Sequence, residues 1–359
     1  MKIKMLKGLL VLGIAGGVIL SCNRENLSTS SSSSAQSTLL AVGQTSSQLV
    51  SGTSFSVQTT SSGAAIDTTH GPPHAGHCKN DGMGSFLGGT NFLTPTNELI
   101  AIVDAESAGD IRGMRMYAQG GATVTNYDTN GNVVTMPSTG AQGPEGVSFS
   151  DGQFPLMDSL LEKIVKTVID FGTGVSVKHD STTITRGGRI IVTRVRNGNE
   201  LTETITFENY TVNNNLIEGT KTRIHNFDAS TGHGSSTSSV ANGKITFSDG
   251  TVASWTSSKQ RLTDITIDST TLRPVSGTIT TTASTAVTAT EGTIIYSSNT
   301  TNPIIENVAC GRAHHWPVSG TVETDYRSQM VVIDFGDGSC SNKTITVTIN
   351  GVTTTKSIG

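Results

Sequence analysis

Charge, aromatic rings and long apolar runs are all scarce in this chain, and each scarcity removes something. Only 14% of the residues are charged and the net charge is −4, so no basic surface for nucleic acid is indicated. Aromatics make up 5% and hydrophobic residues 34%, which is thin for a deep core. There is no Gly-x-Ser-x-Gly elbow and no His-Glu-x-x-His helix, so the usual hydrolase signatures are missing. The apolar run Gly8 to Leu20 is too short to span a bilayer comfortably.

What that run does have is a context. Lys2, Lys4 and Lys7 precede it, the pattern of a secretory signal over residues 1–21. Ile19-Leu20-Ser21-Cys22 resembles the lipobox of bacterial lipoproteins. The resemblance implies cleavage before Cys22 and acylation of its thiol, with roughly 0.8 kcal/mol of membrane affinity per buried CH₂. Asn23 is not the aspartate associated with inner-membrane retention, which favours the outer membrane and leaves the periplasmic or surface face undecided. Residues 22–65 are dominated by Ser, Thr and Gln; such a segment buries too little surface to offset its ordering entropy and is expected to be a disordered tether.

Residues 159–359 read as strand throughout. "LTETITFENYTV" puts Leu201, Ile205 and Phe207 on one face and Thr202, Thr204, Thr206 and Glu208 on the other. "KTITVTINGV" alternates in the same way, the period-two pattern of a half-buried antiparallel sheet. Asn-Gly pairs at 130, 197, 242 and 350 and Asp-Gly pairs at 81, 151, 249 and 337 predict tight hairpins. Thr suits both a pleated surface and contact with water. The fold expected is all-β: a twisted antiparallel meander, either an open sheet or a shallow sandwich. Residues 66–158 differ, being irregular and Gly-rich, with a helix expected near 97–117 capped by Asn97 and a hairpin around Asn130-Gly131.

Two fragments recur. "VIDFGTG" at 168–174 returns as "VIDFGDG" at 332–338, and "PVSGT" at 274–278 returns at 317–321. Repeats of this size suggest one supersecondary unit used twice. Asp-Phe-Gly also holds magnesium in protein kinases, but the phosphate loop, strand lysine and catalytic loop that must accompany it are absent. Asp334 and Asp337 offer too few oxygens for calcium. Asp337-Gly338 reads as a hairpin turn.

In series, "KTVIDFGTG", "GGRIIVTRV", "TITFENYTVNNNLIEGTKT", "NGKITFSDGTVASWTSSKQR", "PVSGTVE" and "IDFGDGSCSNKTITVTINGV" resemble a group of uncharacterised β-rich lipoproteins of Bacteroidota, over roughly Phe154 to Gly359. The resemblance implies an exported, lipid-anchored, β-rich protein. Val175 stands where relatives often carry a cysteine, while Cys310 and Cys340 remain as in the family. Export places Cys78, Cys310 and Cys340 where disulfides persist. Spacing alone leaves three single pairings open, and a bridge between Cys310 and Cys340 is favoured over a Cys310/His314/His315 metal or catalytic group.

Other candidates carry less. His70, His74, His77 and Cys78 lie within nine residues, with nitrogen and thiolate ligands suited to zinc or copper. Trp255 and Trp316, with Tyr210 and Tyr296, are rings able to stack on sugars. Glu203 and Glu208 are a formal glycosidase pair, but alternating strand positions are usually just solvated. Thr68, Ser159, Ser181 and Ser269 follow aspartates in a pattern resembling the O-glycan acceptor of Bacteroidota. The expectation is a non-catalytic, lipid-anchored envelope lipoprotein without cofactor. Its β domain would act as a binding or structural module, with the membrane, and envelope proteins or glycans, as expected partners. A metal-binding lipoprotein and a glycan-processing enzyme are the alternatives.

Overall fold

The computed structural model describes residues 29–51, 96–109, 121–135, 163–179, 182–228, 230–268, 274–310 and 317–357. Two helices come first, α1 (Thr29–Ser51) and α2 (Asn97–Ser107). The strands are β1 (Thr123–Tyr127), β2 (Val133–Val134), β3 (Lys166–Asp170), β4 (Val175–His179) and β5 (Thr182–Asn197). There follow β6 (Glu200–Val212), β7 (Asn215–Asp228), β8 (His233–Thr246), β9 (Val252–Ile267) and β10 (Pro274–Ala289). The last are β11 (Ile294–Asn307), β12 (Ser319–Tyr326), β13 (Gln329–Asp337), β14 (Thr344–Ile349) and β15 (Val352–Ser357).

All fifteen strands form one open antiparallel sheet, ordered by sequence from β15 back to β5 and then β3, β1 and β2. Among the described residues the sheet is a meander, not a sandwich. β3 and β4 both pair β5, at Lys166↔Thr193 to Asp170↔Arg189 and then Val175↔Arg186 to His179↔Thr182. They therefore run as one strand with a jog at 171–174. The irregular region does hold the hairpin around Asn130-Gly131, and its β1 pairs with β3. Residue 159 is thus no boundary within the sheet.

One face of the sheet carries the core, and both helices lie on it. Ile190, Ile205, Ile217, Trp255, Val287, Tyr296, Ile333 and Val347 are all buried in this layer. α1 packs on β10 to β14, and α2 on β6 and β7. The sheet curls round them: Asn213, in the β6–β7 turn, bonds Asn97, while Tyr326 and Arg327, at the β12–β13 turn, reach Thr96 and Glu98.

The expectation of a tether over residues 22–65 needs correction, since α1 occupies Thr29–Ser51. Its composition is a poor guide because helices in proteins are stabilised mainly by packing, not propensity. Leu39, Leu40, Ala41, Val42 and Val50 are buried. A Cβ on Gly43 would lie 2.5 Å from Val331 Cγ1, so the helix backbone rides directly on β13. α2 is shorter than expected and is capped by Thr96, whose Oγ1 accepts from Leu99 N; Asn97 is already helical.

The turn signals sort by backbone geometry. Asn350-Gly351 has φ of 48° and 85° and joins β14 to β15 as predicted. Asn242-Gly243 is instead a bulge inside β8, between Ser239↔Ser258 and Gly243↔Trp255. Asp81-Gly82 and Asp151-Gly152 lie outside the described residues. Asn213-Asn214 and Arg327-Ser328 turn hairpins with positive φ and no glycine. The "PVSGT" repeat is a bulge used twice: a Cβ on Gly277 would lie 2.2 Å from Asp264 O, and one on Gly320 2.4 Å from Pro303 O.

Candidate functional site

Among the described residues, chemistry-bearing side chains concentrate on the helix-bearing face of the sheet, where three strands deliver a buried ionic row. The register sets Arg194 of β5 opposite Glu203 of β6, and Glu203 opposite Arg223 of β7. Glu203 is 1% exposed. Its carboxylate accepts from Arg194 Nε at 2.9 Å and Arg223 Nη1 at 3.2 Å, with His225 Nε2 3.6 Å away. Arg194 also donates to Thr167 Oγ1 at 2.7 Å, and Thr167 donates to Asn126. Burial alone would raise the Glu203 pKa. His225 and the charges of Arg223 and Arg194 outweigh it and hold the carboxyl at about 2.

A second buried pair fixes α2 itself. Arg186 Nε donates to Asp104 Oδ1 at 3.0 Å and to Oδ2 at 3.3 Å, and Tyr210 Oη donates to Oδ2. Lys221 Nζ donates to the carbonyl of Glu106 in the last turn, where a cation complements the helix dipole. Ser257 donates to Glu106 Oε1 at 2.7 Å. Phe171, Tyr210, Phe207 and Trp255 form a chain of rings beside this clamp, with centroids 5.5, 5.7 and 6.5 Å apart.

These positions correct several expectations. Glu203 is not a solvated strand carboxylate; it faces the core side while Glu208 faces outward beside Arg189. The two lie on opposite faces and do not form a glycosidase pair. A carboxyl held at about 2 has no proton to donate near neutral pH. Trp255, Tyr210 and Tyr296 are buried and present no ring to a ligand. Trp255 instead donates from Nε1 to Glu218 O at 3.2 Å, in space left by Gly243. Tyr296 shares a 2.7 Å hydrogen bond with Ser46 of α1, and burial pushes its hydroxyl up to about 12.

Both Asp-Phe-Gly copies shape backbone. Asp170 accepts from Gly172 N at 2.7 Å and Asp334 from Gly336 N at 2.8 Å, each with the following Phe buried. The Gly172 N–H and then Arg189 hold the Asp170 carboxyl below its usual range. Asp337 ends β13, and Gly338 opens a six-residue loop, 338–343, in place of a two-residue hairpin. That loop is stapled: Cys340 is bonded to Cys310, with Cα atoms 5.2 Å apart. The bridge removes Cys310 as a ligand or nucleophile.

Cys22, Thr68, His70, His74, His77, Cys78, Ser159, Ser181, Ser269, His314, His315 and Trp316 lie outside the described residues. Among the described residues no cluster of His, Cys, Asp and Glu is arranged to hold a metal. A cavity of about 10 Å³ between α1, α2 and the sheet, lined by Glu106, Lys259 and Tyr296, is the size of one water. The buried clamps were not legible because alternation marks a face without saying what covers it. The one available signal was the Arg-Glu-Arg coincidence across three consecutive predicted strands. No family model matches this chain, and neither a curated protein nor a solved structure does.

Proposed function

We propose that this chain is a lipid-anchored lipoprotein of the cell envelope, with the outer membrane favoured, whose sheet serves as a non-catalytic binding or structural platform. The observation that carries the reading is the Cys310–Cys340 bridge, a bond that persists in oxidising compartments. It stands beside the secretory signal and the lipobox-like Ile19-Leu20-Ser21-Cys22. The character of the buried charges also supports it. Asp104, Glu203 and their arginines clamp helix to strand and strand to strand.

Growth of an expressing bacterium on a labelled fatty acid tests the anchor: label should enter the wild type and be lost in Cys22→Ser, with the variant leaving the membrane fraction. Equal labelling of both, or none of either, refutes it. Protease treatment of intact cells assigns the face.

A further inference from the structure

The face of the sheet opposite the helices carries the pattern that remains unexplained. Side chains alternate along each strand, so with Arg194, Glu203 and Arg223 turned inward, their neighbours Thr193, Thr204 and Thr222 turn out. Register extends this row in unbroken pairing: Thr193↔Thr204↔Thr222↔Ser239↔Ser258↔Ser284↔Asn299. Seven strands thus place one hydroxyl or amide each on a single line, roughly 30 Å long at about 4.8 Å per strand. The adjacent outward row pairs Thr202, Ile224, Thr237 and Gln260 in the same way. Thr204, Thr222, Ser239 and Ser258 make no side-chain hydrogen bond with another described residue.

We propose that this outer row binds an uncharged polysaccharide laid across the strands, an inference that rests on the platform reading and names its ligand class. Each threonine offers a hydroxyl beside a methyl, matching the alternating O–H and C–H edge of a sugar ring. Val195 and Ile224, 67% and 38% exposed, add apolar contact for ring faces. Charge chooses the polymer. Neither row carries Lys, Arg, Asp or Glu at these positions. The first row runs on from Asn299 to the carboxylate of Glu323, and the other outward charges nearby are matched, Lys244 on Glu218 at 2.8 Å and Arg189 on Asp170 at 2.7 Å. Acidic glycans and nucleic acids therefore meet no cation along the line.

Co-sedimentation of the full-length chain in detergent with amorphous cellulose and insoluble β-1,3-glucan, with polygalacturonate as the acidic probe, tests this. The wild type should be retained on at least one neutral polymer. The variant Thr222→Glu/Ser239→Lys/Ser258→Glu, whose new charges pair across strands, should lose binding at least tenfold while keeping its melting temperature within a few degrees. Thr348→Glu/Thr353→Lys, a paired change far along the sheet, should bind as wild type. Retention on polygalacturonate alone, no retention on any polymer, or undiminished binding by the triple variant overturns the proposal. Fatty-acid labelling of the same preparations keeps the two readings apart: lipidated protein that binds no glycan sinks only this inference, and unlabelled protein that binds sinks only the anchor.

Discussion

Glu203 is buried between two arginines, and that environment has a direct energetic consequence. Its folded pKa of about 2 lies below the ordinary 4.5. A depressed carboxyl contributes stability that is complete above 4.5 and lost as pH falls towards 2, on the order of 3 kcal/mol. Urea midpoints measured from pH 6 down to pH 2 should therefore fall most steeply between those two values, and Glu203→Gln should flatten that fall. At neutral pH Glu203→Gln should itself cost about 3–5 kcal/mol, since two arginines stay buried without their counter-ion. A triple change of Arg194, Glu203 and Arg223 to Met, Leu and Met should recover much of the loss, because a buried ionic row is often replaceable by well-packed apolar groups. If the triple variant is no better than Glu203→Gln, the row has a role beyond packing. Gly277 and Gly320 give a contrasting case, with φ of 105° and 113° and backbone oxygens in the way of any Cβ. Alanine at either should lower stability by about 1–3 kcal/mol, readable as a shifted urea midpoint, whereas Gly351→Ala meets open space and pays only for its left-handed φ.

At the scale of elements, the 310–340 bridge joins the short 3₁₀ turn Val308–Cys310 after β11 to the loop after β13, closing a loop of 30 residues. Chain entropy gives such a closure about 3–4 kcal/mol. Cys310→Ser/Cys340→Ser should lower the urea midpoint accordingly, and reductant should do the same to the wild type and nothing to the variant. A reductant-insensitive wild type would contradict the bridge. The strands were legible because period-two alternation with Thr outward is set by side-chain direction alone, as in Leu201 to Phe207. α1 was not, because the serine-rich stretch 29–38 carries no period and the helix's burial depends on Val331 and Tyr296, hundreds of residues away. Hairpins at Arg327-Ser328 escaped for a related reason: neighbouring strands impose the positive φ that the residues do not advertise.

For the whole molecule, a meander in which each strand from β5 to β15 pairs with the next in sequence is close to one-dimensional, and such arrays divide into cooperative units more readily than layered folds do. The helices supply the long-range ties. α2 holds β5, β6 and β7 through Asp104 and the Glu106 carbonyl, while α1 covers β10 to β14. Weakening α1 alone should therefore loosen one end of the sheet before the other. Gly43→Val does this by forcing branched carbons into Val331, a stiff neighbour already only 2.5 Å from the position of a Cβ. Amide hydrogen exchange of that variant should show faster deuterium uptake in β10 to β14, by tenfold or more for amides near Val331, with β5 to β7 still protected as in the wild type. Uniform acceleration across all strands would mean that the fifteen strands open together, and that pairing along the ladder, not the helices laid on it, sets the size of the cooperative unit.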